Sequence, residues 1–138
     1  MKRLFALFFA LCLHAATFAQ ADASHYLLTD AVLQKLKIVQ DEIERRGIDT
    51  SKDLSGNDSV ETMAQKIDAN SAVKDLLAQQ GLTPMDCALT VNATLHAGLY
   101  LMAEQIGEKA KAQSMLAGAT PEQRANIALL RKSSKPAQ

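Results

Sequence analysis

Apolar residues recur along most of this chain at the three- and four-residue spacing of an α-helix, and strand-type alternation appears nowhere. Leu28, Val32, Leu36, Val39 and Ile43 trace one face and predict a first helix from about Ser24 or Thr29 to Arg46. Gly47 is its natural stop, because glycine takes the left-handed cap without a Cβ penalty. Residues 48–59 are polar and turn-rich and read as a surface loop. A second helix starts near Ser59, with Val60, Met63, Ala64 and Ile67 on its apolar side. A break at Asn70 and Ser71 separates a short third helix carrying Val73, Leu76 and Leu77, which Gly81 closes; one bent helix is the alternative.

The clearest start signal lies at Thr83, Pro84 and Asp86: a cap, a proline at the first helical position, and an acid able to reach back. The helix that follows is expected to run to about Gly107, or on to Gly118. Cys87, Val91, Leu95, Gly98, Leu99, Met102 and Ile106 line the side expected to face the core. Leu89, His96, Tyr100 and Ala103 make the opposite side apolar as well, and a helix apolar nearly all round belongs at the centre of a bundle. Thr120, Pro121, Glu122 and Gln123 repeat the start grammar and open a last helix with Ile127, Leu129 and Leu130. The expected fold is all-α, a compact bundle of four to five helices around a central apolar helix at about 84–106.

The first residues stand apart from this pattern. Lys2 and Arg3 precede an unbroken apolar run at residues 4–13, and small residues follow at the spacing a signal peptidase reads. The expectation is a cleavable signal peptide over 1–21, cut after Ala21 with Ala19 as the alternative. A single domain over 22–132 and a flexible tail over 133–138 then follow, and the protein is exported, periplasmic or secreted. The apolar run is shorter than the roughly 20 residues that span a bilayer. Leu11 before Cys12 does not fit lipid attachment, so no stable membrane anchor is expected.

Removing 1–21 takes away all four phenylalanines, Cys12 and His14, and leaves about 117 residues with Tyr26 and Tyr100 as the aromatic side chains. The remaining charge is 13 basic against 15 acidic residues. Neither a basic surface nor stacking aromatics is available, so nucleic acid is not an expected partner. Cys87 remains alone and cannot form an internal disulfide. It reads as a small apolar residue buried in a helix, with an intermolecular disulfide or a reactive thiol as alternatives.

Candidate chemistry is sparse. His96 and Tyr100 lie one helical turn apart and share a face, so together they could hold a ligand. Gly98 costs about 1 kcal/mol in a helix relative to alanine, which calls for close approach of another helix or room for a ligand. His96, Tyr100 and Gly98 are therefore the candidate ligand-binding residues. His25 would serve an amino-terminal copper motif only if the chain began at Ala23, which the cleavage rule disfavours. The charges at Asp41, Glu42, Glu44, Arg45 and Arg46 read as a solvated helix end. No metal site, cofactor motif, phosphate loop, HExxH or GxSxG is present, and no catalytic residues are assigned.

Two passages carry resemblances. The stretch from Ile67 to Thr90, with AVKDLLAQQGLTPMDCALT at its heart and a late NIALLRK, resembles small exported helical proteins of unknown function, which implies fold and location only. Ala119 to Arg124 (ATPEQR) resembles the LTxxQ motif of periplasmic chaperones of the Spy and CpxP type, with Ala119 in place of the leucine. That resemblance implies an envelope-stress chaperone or a metal-responsive accessory protein. The residues themselves favour a non-catalytic binding or interaction module, whose partner would be a protein, a peptide or a small apolar ligand.

Overall fold

A computed structural model describes residues 22–50 and 58–134. The signal segment expected at 1–21, the tip of the 48–59 loop and the last four residues lie outside the described residues. One turn of 3-10 helix (Ala23–His25) precedes α1 (Asp30–Arg46), α2 (Val60–Ala69), α3 (Ser71–Gln79), α4 (Pro84–Gln105), α5 (Lys109–Ala117) and α6 (Pro121–Ser133). There is no strand among the described residues.

The helix ends follow the local chemistry of the sequence. Thr29, Ser59 and Asn70 accept hydrogen bonds from the amides of Val32, Thr62 and Val73. Asn70 also ends α2, so the break between α2 and α3 is a shared cap and not a bend. At α4 the Asp86 amide donates to Thr83 Oγ1 at 3.1 Å, and the Thr83 amide donates to Asp86 Oδ2 at 2.8 Å. Thr120 and Gln123 form the same reciprocal pair at α6. Gly47 closes α1 and Gly107 ends the turn after α4, at φ 64° and 83°, values where a side chain would be strained.

Gly107 also accounts for a difference from the expected count. Six α-helices are present among the described residues where four to five were expected: α4 ends at Gln105, close to the expected Gly107, and residues 109–117, expected at most to continue it, form a separate α5. α6 continues through Ser133, into the span expected to be tail.

Two apolar clusters meet along α4. The first joins Val39 of α1, Val60, Met63 and Ile67 of α2, Val73, Leu76 and Leu77 of α3, and Ala88 of α4. The second joins Ala97, Tyr100 and Ala103 of α4 to Ala112 of α5 and Ile127 of α6. α4 is thus the central element, but its inward face differs from the expected one. Ala93, Ala97, Tyr100 and Ala103 are buried, whereas Leu95, Leu99, Met102, Ile106 and Gly98 are exposed. Helix axes come together where contacting side chains are small, and the alanines set that contact. The larger side chains, about half a turn away, are left facing out.

The amino-terminal segment is tied down across the bundle. Asn126 is buried; its Oδ1 accepts from the Leu28 amide and its Nδ2 donates to the Tyr26 carbonyl, both at 2.8 Å. Thr120 Oγ1 donates to the Ser24 carbonyl, and His25 Nδ1 lies 3.1 Å from Glu122 Oε2. Residues 22–28 therefore belong to the folded body.

Candidate functional site

Among the described residues, an opening lies between α1 and α4. Val39 is the one fully buried residue of α1, and Leu33, Leu36 and Ile43 beside it are half-buried. α1 packs mainly on α3 and touches α4 at few places. A half-open groove of about 970 Å³ results. Its α1 wall is Leu33, Leu36 and Ile43, Ile67 and Val73 reach it from α2 and α3, and Cys87, Val91 and Leu95 form its α4 wall. That volume is in the range of small-ligand sites, which are mainly apolar with a few placed polar groups.

The polar groups are of two kinds. Thr90 and Thr94 lie in the α4 wall, while Lys37, Gln40, Asp41 and Glu44 sit along the α1 rim. Thr90 is buried and its hydroxyl donates to the Asp86 carbonyl at 2.7 Å. Its oxygen therefore accepts from the Tyr26 hydroxyl at 3.0 Å, and it is spent on structure. On the rim, Lys37 pairs with Asp41 at 3.0 Å, and Gln40 donates to Glu44 at 3.3 Å. The walls are thus apolar and the rim keeps one carboxylate without a cation beside it in the groove lining, at Glu44.

Cys87 is partly buried and its thiol is free. Burial, reinforced by the neighbouring Asp86 charge, pushes the thiol up to about 11. It is protonated at neutral pH, so it acts as a small apolar wall residue and a poor nucleophile.

The three residues singled out from the sequence are not brought together. Tyr100 is buried in the second cluster, with the Arg131 guanidinium 5.9 Å from its ring centre and Arg131 itself bonded to Glu104 at 2.7 Å. His96 is half-buried, and its Nδ1 has no hydrogen-bond partner. Gly98 is exposed, and a Cβ there would meet nothing within 4 Å. No described helix packs closely against that glycine. None of the three lines the groove. The groove's own residues were visible in the sequence as apolar stripes, but a stripe alone does not distinguish a core from the wall of an opening.

Among the described residues no group of three or more His, Cys, Asp or Glu side chains is placed to hold a metal ion. No described helix is long and apolar enough to cross a membrane. No protein-family model matches the chain, and no similar curated protein or solved structure was found.

Proposed function

We propose that this chain is an exported helical binding module without catalytic activity, and that the groove between α1 and α4 receives an apolar ligand or apolar peptide side chains. The observation that carries this reading is the groove itself: about 970 Å³, walled by Leu33, Leu36, Ile43, Val91 and Leu95, and open on one side. Its threonines and its cysteine offer no charge and no activated nucleophile, which suits retention of an apolar group better than turnover. Export rests on the amino-terminal sequence pattern, Lys2 and Arg3 before the apolar run at 4–13.

Titration with an environment-sensitive apolar dye tests the reading. Saturable binding at one dye per chain is expected, with Cys87 alkylation slowed by the bound dye. Val91→Arg, which places a charge on the wall, should lower dye affinity by about tenfold or more, a change worth roughly 1.4 kcal/mol or above. Absence of saturable binding by apolar probes of several sizes, or binding that Val91→Arg leaves unchanged, would overturn it.

The chaperone reading is the runner-up, supported by the ATPEQR passage. Thr120 and Gln123 are both spent on the α6 cap, which explains the passage through helix initiation alone. Suppression of a client's aggregation at sub-stoichiometric protein would revive it.

A further inference from the structure

The outer side of α4 carries an apolar stripe that no described element covers. Leu95, Leu99, Met102 and Ile106 are 46%, 45%, 52% and 65% exposed. They follow one another at steps of four, three and four, which is the spacing of a two-helix seam. Scattered exposed apolar residues are ordinary, but a contiguous row of a few hundred Å² marks a contact surface. The row begins at Leu95, in the groove wall, and continues beyond the groove to the end of the helix.

We propose that this stripe is where the chain meets a second copy of itself, the two α4 helices packing antiparallel about a two-fold axis. Leu95 then faces the partner's Ile106, and Leu99 faces the partner's Met102. Two features of the row support this occupant. The positions flanking the seam are His96, Gly98, Ala103 and Gln105; His96 is the one ionisable group among them, and the antiparallel sense sets the two copies' His96 toward opposite ends of the seam. The row is self-complementary under reversal, with four large apolar side chains symmetric about its midpoint, as a two-fold contact requires. The antiparallel sense sets the helix dipoles opposed and brings the covered, α1-bearing end of one helix to the open end of the other. Gly98, with open space where a Cβ would be, lets the helices approach beside the seam.

The size of the row sets the strength. A standard interface buries about 800 Å² on each partner, and a row of a few hundred Å² falls short of that. The dimer is therefore weak and reversible, with a dissociation constant in the micromolar to millimolar range. The seam shares Leu95 with the groove wall, so the test is made on the ligand-free chain and rests on Leu99 and Met102, which lie outside the groove.

Sedimentation equilibrium of the full chain and of its processed form, taken to about 1 mM, is the test in that affinity range. Concentration-dependent dimer is expected, and Leu99→Glu, present twice in each dimer, should weaken it at least about tenfold. Helicity and melting of the dilute variant should stay unchanged, because the side chain is exposed; Met102→Glu repeats the test should Leu99→Glu lose helicity. In a Cys87→Ser background, a mixture of Leu99→Cys and Met102→Cys chains should cross-link to each other, while Leu95→Cys should not cross-link to itself. A chain that stays monomeric throughout, or a dimer indifferent to both charges, overturns the proposal. So does a monomer in which Met102→Cys is shielded only while residues 1–21 remain attached, which would assign the stripe to that segment. A monomer with the stripe open in both forms also overturns it and leaves the row to a protein of different sequence.

Discussion

The two halves of α4 solve the same packing problem differently. Around its first half, α1, α2 and α3 supply Val39, Val60, Met63, Ile67, Val73, Leu76 and Leu77, large aliphatic groups gathered from three helices. Around its second half, α5 and α6 meet Ala97, Ala103 and Ala112, with Tyr100 and Ile127 as the large side chains. The first region is held by filled volume and the second by close approach of small residues. The contrast explains why one helix contributes both a groove wall and an exposed row. Where α1 flanks α4 the outer apolar side chains have a neighbour, and beyond it no described element covers them.

The largest expected effect separates the two clusters directly. Leu77 has no exposed surface, so Leu77→Ala leaves a cavity among large neighbours that cannot collapse into it. A loss of about 4 kcal/mol is expected, toward the upper part of the range for buried leucine truncation. Ile127→Ala, in the alanine-rich cluster near the bundle's end, should cost roughly 2–3 kcal/mol, because shorter neighbours can shift toward the gap. Denaturant melts of both variants decide this. Equal losses would show that the clusters are equivalent in packing and that the contrast is compositional only.

Asn126 provides the next largest effect, and it concerns how the second region gains stability that its alanines do not provide. Asn126→Ala removes the partners of a buried amide at Leu28 and of the Tyr26 carbonyl in one step. A cost of about 2 kcal/mol or more is expected, since buried groups left unpaired keep their desolvation penalty. Hydrogen exchange sharpens the reading. The Leu28 amide should lose protection in the variant, while amides of α2 and α3 change only in proportion to global stability.

Most helix boundaries were legible because their signals are local. Thr29, Ser59, Asn70, Thr83 and Thr120 each bond within three residues, and Gly47 and Gly81 stop helices by conformation alone. The facing of α4 was not legible. Hydrophobicity ranks Leu95, Leu99 and Met102 above Ala93 and Ala97 for burial, yet contact geometry favours the smaller residues. Nothing local reports which side a neighbouring helix will approach. The candidate site suffered from the same gap: His96, Gly98 and Tyr100 share a stretch of helix but point to different surroundings. The tie of Asn126 to residues 26 and 28 spans about a hundred positions and has no sequence signature.

Gly98 gives a smaller effect of opposite sign. With open space around the missing Cβ, Gly98→Ala in dilute monomer should raise stability by up to about 1 kcal/mol through helix propensity alone. Thermal melts at low micromolar protein would check it. Loss of stability instead would mean that the second half of α4 is approached more closely than its exposure indicates.

The smallest expected effect compares how the two regions bind their surface charges. In the second region Arg131 reaches from α6 to Glu104 of α4, so the pair joins two helices. In the first, Glu42 accepts from Arg45 Nε at 2.8 Å and from Arg46 Nε at 2.7 Å, all within α1. The Arg45 and Arg46 hydrogen bonds hold the Glu42 carboxyl down to about 2 from its ordinary 4.5. Because the folded value is the lower one, any stability it contributes is present above about pH 4.5 and is lost as the pH falls toward 2. Glu42→Gln should therefore melt slightly below the parent at neutral pH and converge with it by about pH 2. The carboxylate is at the surface, so the gap should shrink in high salt. Arg131→Ala should be less sensitive to salt, because it also removes the guanidinium's packing over Tyr100. A salt dependence as steep for Arg131→Ala as for Glu42→Gln would make both surfaces equivalent and would leave the difference between the two halves of α4 to their cores.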